Sequence, residues 1–471
     1  MATETPHWVV RAEDKGYLYI FGAHNSTVQH RRYIAQKERF TITFGHELPA
    51  ILEDLVDLAL IVYAADRFIR RHQIGEENSG RSWQRKFEIQ LPVSDPERWN
   101  QPEVVRLLTE ALGFLTEDHW EFNFYPHGQR RRQPVIQSIL FPPESPAAAA
   151  LFSGGLDSLA GLALQLAEGR LKTVVALTCS TNSRLLRKQR ELLRALYNRT
   201  TTRLLPLVFP IRLHQHRRNY NLNERSQRGR AFLFNVLGSV AALMAGSSEL
   251  FIHENGIGSI NLPVSEAQLG AQSSRATHPI ALRKIERFLY SLLGREIHLR
   301  LPYLFSTKGE MCARLRSSSF ANLAIQSVSC DGFPPRLAGA EQCGVCTSCL
   351  LRRQALFCSG YTEDLNPGRY RYDVLGNLDA IPAPKFAPLL DMLTQIDRLK
   401  RAVSSSTPWQ DLTIEYPELS EVRETVREWL GSIKGGVTRQ QLLSLYQDYC
   451  REWQCFPTHL ANWSSEIRLS A

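Results

Sequence analysis

No stretch of the 471-residue chain approaches the roughly 20 consecutive apolar residues that a membrane-spanning helix needs, so no membrane partner is expected. The opening residues, MATETPHWVVRAEDKG, lack a basic segment followed by an apolar core and do not read as a secretory signal. A cytoplasmic location is the expectation. There is no internal repeat, and no low-complexity tract beyond PPESPAAAA at 142–150. Nine cysteines are too few for a disulfide scaffold in a chain of this length. Also missing is a G-x-x-x-x-G-K-[ST] loop, which disfavours a Walker-type kinase or GTPase.

What is present fits a folded protein of two or three domains, with 43% hydrophobic and 22% charged residues. The formal charge of +9 suits a phosphate-bearing partner, but a surplus of this size also serves solubility alone. Arg130–Arg132 reads equally as a solvated loop or a basic patch. RLHQHRRNYNLNERSQRGR, Arg212 to Arg230, falls inside the domain described next and is favoured as functional.

Before residue 143, HWVVRA, GYLYIFG, RFTITFG, KFEIQLPV and EFNFYPH carry the pattern of strands. LPAILEDLVDLALIVYAADRFIRR spaces Ile51, Leu55, Leu58 and Val62 as a helix does, and PEVVRLLTEALGFL predicts a second helix. Residues 1–143 are therefore expected to form an N-terminal α+β domain, without a catalytic constellation but able to contact a partner or substrate. From Ala147 short apolar strands alternate with helices: AAAALF, LDSLAGLALQLAEG, KTVVALTCS, SRLLRKQRELLRALYNR, RLLPLVFPIRL, GRAFLFNVLGSVAALMAG, ELFIHENG, HPIALRKIERFLYSLLGR and IHLRLPYLF. This predicts an α/β domain over 147–358, a doubly wound parallel sheet covered on both faces. Ligands of such sheets bind beyond the carboxyl ends of the strands. Residues 359–471 begin loop-rich and continue as a mostly helical region; one helix places Leu442, Leu445 and Tyr449 on one face. No chemistry is assigned to it.

At the carboxyl end of the first strand of the α/β domain stands ALFSGGLDSLAG, residues 150–161. Gly154 and Gly155 can take positive φ and bring backbone N–H groups to an anion. Ser153 and Ser158 add hydroxyls, and the helix opening at Leu156 adds free N–H groups and a partial positive charge. Asp157 would repel a phosphate, so it fits either as a holder of Mg²⁺ against the phosphates or as a helix cap. A lone Ser-Gly-Gly is an ordinary tight turn; the full hexapeptide between a buried strand and a helix is far more specific.

Four cysteines crowd into a short span: Cys343, Cys346 and Cys349 in two C-x-x-C steps, with Cys330 upstream. Four thiolates so spaced suit tetrahedral Zn²⁺ in a closed, structural site. A redox pair and an iron–sulfur cluster are the alternatives. Cys358 reads as a packed residue and Cys179 as a buried core thiol.

The hexapeptide resembles the SGGxDS signature of the PP-loop ATP pyrophosphatases. These have an adenine nucleotide alpha hydrolase-like fold, transfer AMP from ATP to a carboxylate or carbonyl oxygen, and release pyrophosphate before a nucleophile displaces AMP. The resemblance implies ATP and Mg²⁺ as cofactors, with Ser153, Gly154, Gly155, Leu156, Asp157 and Ser158 binding ATP and Asp157 and Ser158 at the chemistry. SGGLDS early and C…CG-x-C-x-x-C-x-x-R late, ending at Arg352, together resemble the 7-cyano-7-deazaguanine synthase (QueC-like) family over residues 147–358. RGRAFLF resembles that family's P-G-R-N segment, which implies Arg230 at ATP. PYLFSTKGEM resembles its lysine-bearing stretch, which implies that the catalytic Lys308 meets the α-phosphate or the acyl-adenylate. The chain departs from the family at Ala231, where asparagine is usual, and at SSRATHP (273–279), where Y-P-D-C-R is expected. Its flanking domains and its ENGIGSINLP and RATHP elements resemble the long QueC-like proteins of bacterial anti-phage defence operons of the Qat type.

HENGIGSINLPVSEAQLGAQSSRATHP follows the fourth strand and is expected at the same ligand-binding edge. His253, Glu254 and Asn255 can read a purine-like edge. Arg275, Thr277 and His278 can bind a carboxylate or phosphate, or move a proton; the plain alternative is loop structure with a helix N-cap at Thr277. The resemblance thus implies an ATP-dependent ligase acting on a 7-carboxy-7-deazaguanine-type acid, with an amine acceptor and other proteins of the operon as partners. The alternatives are synthesis of the nitrile 7-cyano-7-deazaguanine and a tRNA-modifying PP-loop thiolase or ligase, nucleic acid being the less favoured partner. A non-enzymatic scaffold is a further reading, disfavoured by the intact hexapeptide.

Overall fold

Hydrophobic alternation organises the chain around one sheet. A computed structural model describes residues 7–13, 16–22, 25–71, 83–127, 145–180, 183–214, 224, 226–264, 275–332, 340–361, 369–376, 381–431 and 435–456. Arg130–Arg132, most of the arginine-rich stretch between Arg212 and Arg230, and residues 265–274 lie outside these ranges. The strands are β1 (His7–Ala12), β2 (Tyr17–Gly22), β3 (Asn25–Ala35), β4 (Lys86–Val93), β5 (His119–Pro126), β6 (Ala147–Leu151), β7 (Thr173–Ser180), β8 (Arg203–His214), β9 (Glu249–Phe251) and β10 (His298–Arg300). They form a ten-stranded mixed, largely parallel sheet in the order β10-β9-β6-β7-β8-β3-β2-β1-β4-β5. The five strands from β6 to β10 are mutually parallel. β8, β3, β2 and β1 pair antiparallel in succession, and β1, β4 and β5 are parallel again.

The sheet therefore continues past the linker at 142–150 on which the sequence places a boundary. β3 carries it across, pairing Ala35 with Ile211 and Arg32 with His214. Its polar run NSTVQHRRYIA shows no clean apolar alternation, because β3 is central to the sheet yet partly solvated.

Among the helices, α1 (Glu38–Phe44) corrects an expectation: RFTITFG is a helix, not a strand. Helical spacing buries Phe40, Thr41 and Phe44 together, with Phe40 against Phe209 of β8 (ring centroids 5.7 Å apart), and Gly45 closes the helix at φ 72°. Tertiary packing here overrides the β preference of alternating Thr, Ile and Phe. Next come α2 (Ala50–Phe68), α3 (Pro96–Trp99), α4 (Pro102–Thr116), α5 (Leu156–Glu168), α6 (Ser183–Tyr197), α7 (Gly229–Met244), α8 (Gly256–Ile260), α9 (Pro279–Leu293), α10 (Lys308–Arg316) and α11 (Thr347–Cys358). Alternate residues of one strand serve two cores. Val175 and Leu177 join α2, α4, α7 and α9 on one face; Val174 and Ala176 join α5, α6, α10 and α11 on the other.

α12 (Ala387–Val403), α13 (Pro408–Glu415), α14 (Glu418–Trp429) and α15 (Gly435–Cys455) make the expected helical tail, with a core of its own that also takes in Ile260, Ile280, Leu304 and Leu350. No helix among the described residues is long and apolar enough to cross a membrane.

A buried ionic network fastens the N-terminal part to α7. Asp66 accepts from Arg85 Nη2 at 2.6 Å and from the Gly229 backbone at 2.9 Å; Asp118 accepts from Arg85 at 2.7 Å and from Arg71 Nη1 at 2.9 Å. Removing one member leaves a desolvated charge under-compensated, at a cost of about 3–5 kcal/mol. Asp66→Ala should lower stability by about that amount in urea unfolding followed by circular dichroism.

Candidate active site and metal centre

From β6 the chain builds outward through β7 to β8, then returns to the other flank of β6 with β9 and β10. The strand order thus reverses between β6 and β9, the kind of position beyond whose carboxyl ends open α/β sheets take ligands. Both the SGGLDS loop and residues His253–Asn255 leave the sheet at this point.

Gly154 holds φ 82°, a conformation that L side chains rarely adopt, and so turns the chain from β6 into α5. Gly155 is the N-cap at φ −73°, so one of the two glycines takes positive φ. The loop is braced from outside: Ser153 O accepts from Gln189 Nε2 at 2.9 Å, Gly154 O from Val328 N at 3.3 Å, and Leu156 N donates to Ser329 Oγ at 3.2 Å. Ser153 Oγ and Ser158 Oγ lie 3.0 Å apart, and Ser158 donates to Gly155 O. The first turn of α5 adds the amides of Asp157 and Ser158, which a helix leaves without intrahelical partners. Hydroxyls and amides converge at a helix N-terminus, an arrangement suited to an anion.

Asp157 does not cap α5. Its carboxylate pairs with Lys308 Nζ at 2.7 Å through Oδ2 and accepts from Asn255 Nδ2 at 3.0 Å through Oδ1. Asp157 and Lys308 are each 8% exposed. Lys308 opens α10 directly after Thr307, whose capping box with Glu310 fixes the start of that helix. Asn255 Nδ2 also donates to Glu254 Oε1 at 2.9 Å, while its Oδ1 caps α8 by accepting from Gly258 N. Burial, and then the charge of Asp157, push the Glu254 carboxyl up to about 8. Burial would lower Lys308, but Asp157 and Glu254 together hold its ammonium above the usual lysine range. The cluster therefore gathers two carboxyl groups and one ammonium, and burial favours the neutral form of Glu254.

The other predicted residues divide. Arg230 is exposed in the first turn of α7, near enough to Cys179 at the carboxyl end of β7 for its charge to be felt there. Burial raises the Cys179 thiol, as befits a packed cysteine. His253 is 3% exposed, neither ring nitrogen has a hydrogen-bond partner among the described residues, and burial pushes it down to about 3. Arg275 bonds Phe114 O at 2.8 Å and Glu117 at 3.1 Å. His278, not Thr277, is the N-cap of α9, its Nδ1 accepting from Ile280 N. Burial in the first place, and then Arg275, push His278 down to about 3. Thr277 is half-buried between them. The hydrogen bonds and ion pairs of Arg275 and His278 do not reach Asp157, Lys308 or the SGGLDS loop.

The sulfur atoms of Cys330, Cys343, Cys346 and Cys349 all lie within 4.8 Å of one another. Cys343 and Cys349 sulfurs are 3.8 Å apart, matching the edge of a tetrahedron whose ligands sit about 2.3 Å from a zinc ion. Backbone N–H groups of Cys343 and Cys346 donate to the sulfurs of Cys330 and Cys343 at 3.4 and 3.3 Å, as thiolates require. Gly344 at φ 86° makes the turn, and a side chain there would meet Tyr372 O. This buried four-cysteine cluster can hold a metal such as zinc. Cys358, outside it, donates its S–H to Glu452 O at 2.8 Å.

Two supporting residues, Ser329 and Glu452, escaped the sequence reading. Ser329 adjoins the first cysteine and braces the loop, while Arg352, the last residue of the cysteine pattern, holds the preceding turn through Ser327 Oγ and Ala324 O. Glu452 of α15 accepts from Thr307 Oγ1 and from Gln354 Nε2 at 2.9 Å. The tail, expected to carry no chemistry, thus buttresses the start of the lysine helix. Ser329 is signalled by its place beside Cys330; nothing in the sequence signals Glu452.

No protein-family model matches the chain, and no curated protein matches it.

Metal analysis of the purified chain should find one zinc per chain, lost in Cys346→Ser. A pH effect follows from Glu254. Between its ordinary value of 4.5 and about 8 the folded state keeps a proton that the unfolded state has lost, so this group's contribution to stability falls as pH rises through that window and levels off above it. Urea midpoints measured from pH 4.5 to 8.5 should show a shallower decline in Glu254→Gln than in the wild type.

Proposed function

We propose that the chain is a PP-loop, QueC-like ATP-dependent ligase, with an adenine nucleotide alpha hydrolase-like fold in its parallel half. In this reading it adenylates the carboxylate of a 7-carboxy-7-deazaguanine-type acid, releases pyrophosphate and passes the acyl group to an amine. The observation that carries it is the buried Asp157–Lys308 pair beneath the SGGLDS loop at the sheet's switch point. The resemblance of SGGLDS and the cysteine pattern to that family supports it; strand order β8-β7-β6-β9-β10 is compatible with it.

The chemistry follows from the groups present. The loop's hydroxyls and amides hold the β- and γ-phosphates and stabilise pyrophosphate as it leaves. Lys308 shifts its hydrogen bonds from Asp157 to the α-phosphate, where charge builds during attack by the carboxylate. Asp157 would hold Mg²⁺, which would neutralise phosphate charge. Arg230, exposed at the same edge, reaches toward the nucleotide. Glu254 offers a hydrogen bond to a purine-like edge, and Asn255, its amide already engaged by Asp157, Glu254 and Gly258, positions it. Arg275 and His278 are engaged with Phe114 and Glu117 of the N-terminal part, and we assign them, with Thr277 between them, to supporting the site from that side. Zinc at the four cysteines is structural.

For the acceptor we favour an amine of a partner protein, as the likeness to Qat-type defence proteins suggests; with ammonia the first product would be the amide, and a second ATP would have to adenylate the amide oxygen, expelled as AMP, to give the nitrile. Incubation with ATP, Mg²⁺ and 7-carboxy-7-deazaguanine should release pyrophosphate. In Lys308→Met, lacking the group that meets developing charge, release should slow about 10²–10³-fold. Intact-mass analysis of co-purified partner proteins separates a protein conjugate from a small-molecule product. No pyrophosphate release with the wild type would overturn the reading.

A further inference from the structure

A second opening lies on the far edge of the sheet. Three antiparallel pairings separate β8 from β1, so β1, β3, β4 and β5 run opposite to β6–β10 and their carboxyl ends emerge away from the SGGLDS loop. Beyond those ends, between Glu13, Ala35, Ser94 and His127, a cleft of about 1020 Å³ opens against the first turns of α2. It is as large as the largest small-molecule pockets, which span about 300–1,000 Å³. Carboxyl ends of parallel strands are where open α/β sheets take ligands.

The lining fixes the chemistry of the occupant. Its floor is apolar, with Leu48, Leu60, Leu91 and Val93. Its walls carry Glu13, Glu38, Glu47, Glu53, Asp54 and Asp57 against Arg32 and Lys37. That is an acidic site in a chain whose net charge is +9, so it does not reflect general composition. Lys37 serves two carboxylates at once, Glu53 at 2.8 Å and Asp57 at 2.9 Å. Arg32 stacks over the Tyr17 ring, 4.8 Å from its centroid. Tyr33, only 8% exposed and lining the same cleft, has no hydrogen-bond partner for its hydroxyl among the described residues. The cleft thus sets six acidic side chains against two cations, with a tyrosine whose hydroxyl has no hydrogen bond among the described residues and an apolar floor.

We propose that this cleft binds a short basic segment of a partner protein, with lysine or arginine side chains on the acidic walls and apolar ones on the floor. A simple polyamine would match the charge but leave the floor unused. This site is independent of the ATP reading and lies at the opposite edge of the sheet.

The test is fluorescence anisotropy with a labelled KLKVKLK heptapeptide and the full chain at low salt. Saturable binding is expected, with none for ELEVELE. The charge reversals Glu38→Lys and Glu47→Lys together fall on exposed rim positions, which leaves folding intact by circular dichroism, and should weaken binding at least tenfold. The same reversal at exposed Glu421 on α14 should leave it unchanged. The proposal is overturned by no saturable binding, by equal loss in Glu421→Lys, by no loss in the rim double variant, or by spermidine displacing the label as well as unlabelled peptide does.

Discussion

The ion pair between Asp157 and Lys308 is the contact on which the candidate site depends. Two charges nearly excluded from water, 2.7 Å apart, are costly to assemble, and well-packed apolar residues would serve stability as well or better. The pair persists only because several elements hold its members in place. Gly154 and the β6–α5 turn present Asp157; the Thr307 capping box presents Lys308; Asn255, from the loop after β9, ties the carboxylate to Glu254. Each comes from a different crossing of the sheet, so the site exists only in the folded chain.

Two supports reach this pair from a distance. The segment that ends at Cys330 first passes Val328 N and Ser329 Oγ to the SGGLDS loop, so a metal held by the cysteines would set the loop's shape without touching the chemistry. From the other side, Glu452 of the helical tail grips Thr307, immediately before Lys308. The N-terminal part joins through the shared sheet and the Asp66–Arg85–Asp118 network. Flanking regions that the sequence presents as separate additions are thereby parts of one scaffold.

The sequence made the local features legible. A strand, two glycines and a helix at 150–161, apolar strands alternating with helices, and cysteines at metal spacing are all short-range patterns, and the structure carries them. Long-range pairings were not legible. The link between Asn255 and Asp157 spans 98 residues and has no local signature. β3 joins two halves of the sheet with a polar sequence, and RFTITFG, which alternates like a strand, becomes helical because Phe40 and Phe44 need the same core. Arg275 and His278 are polar residues in a loop at the expected edge, and both contact Phe114 of the N-terminal part, a pairing without a local signature.

The most direct measurement is the position at which ATP is cleaved, read by ³¹P NMR in the presence of Mg²⁺, a 7-carboxy-7-deazaguanine acceptor and partner protein. A loop that holds the β- and γ-phosphates while the α-phosphate is attacked predicts AMP and pyrophosphate in equal amounts, formed only when the acid is present. ADP with inorganic phosphate, or ATP left intact, would contradict the account.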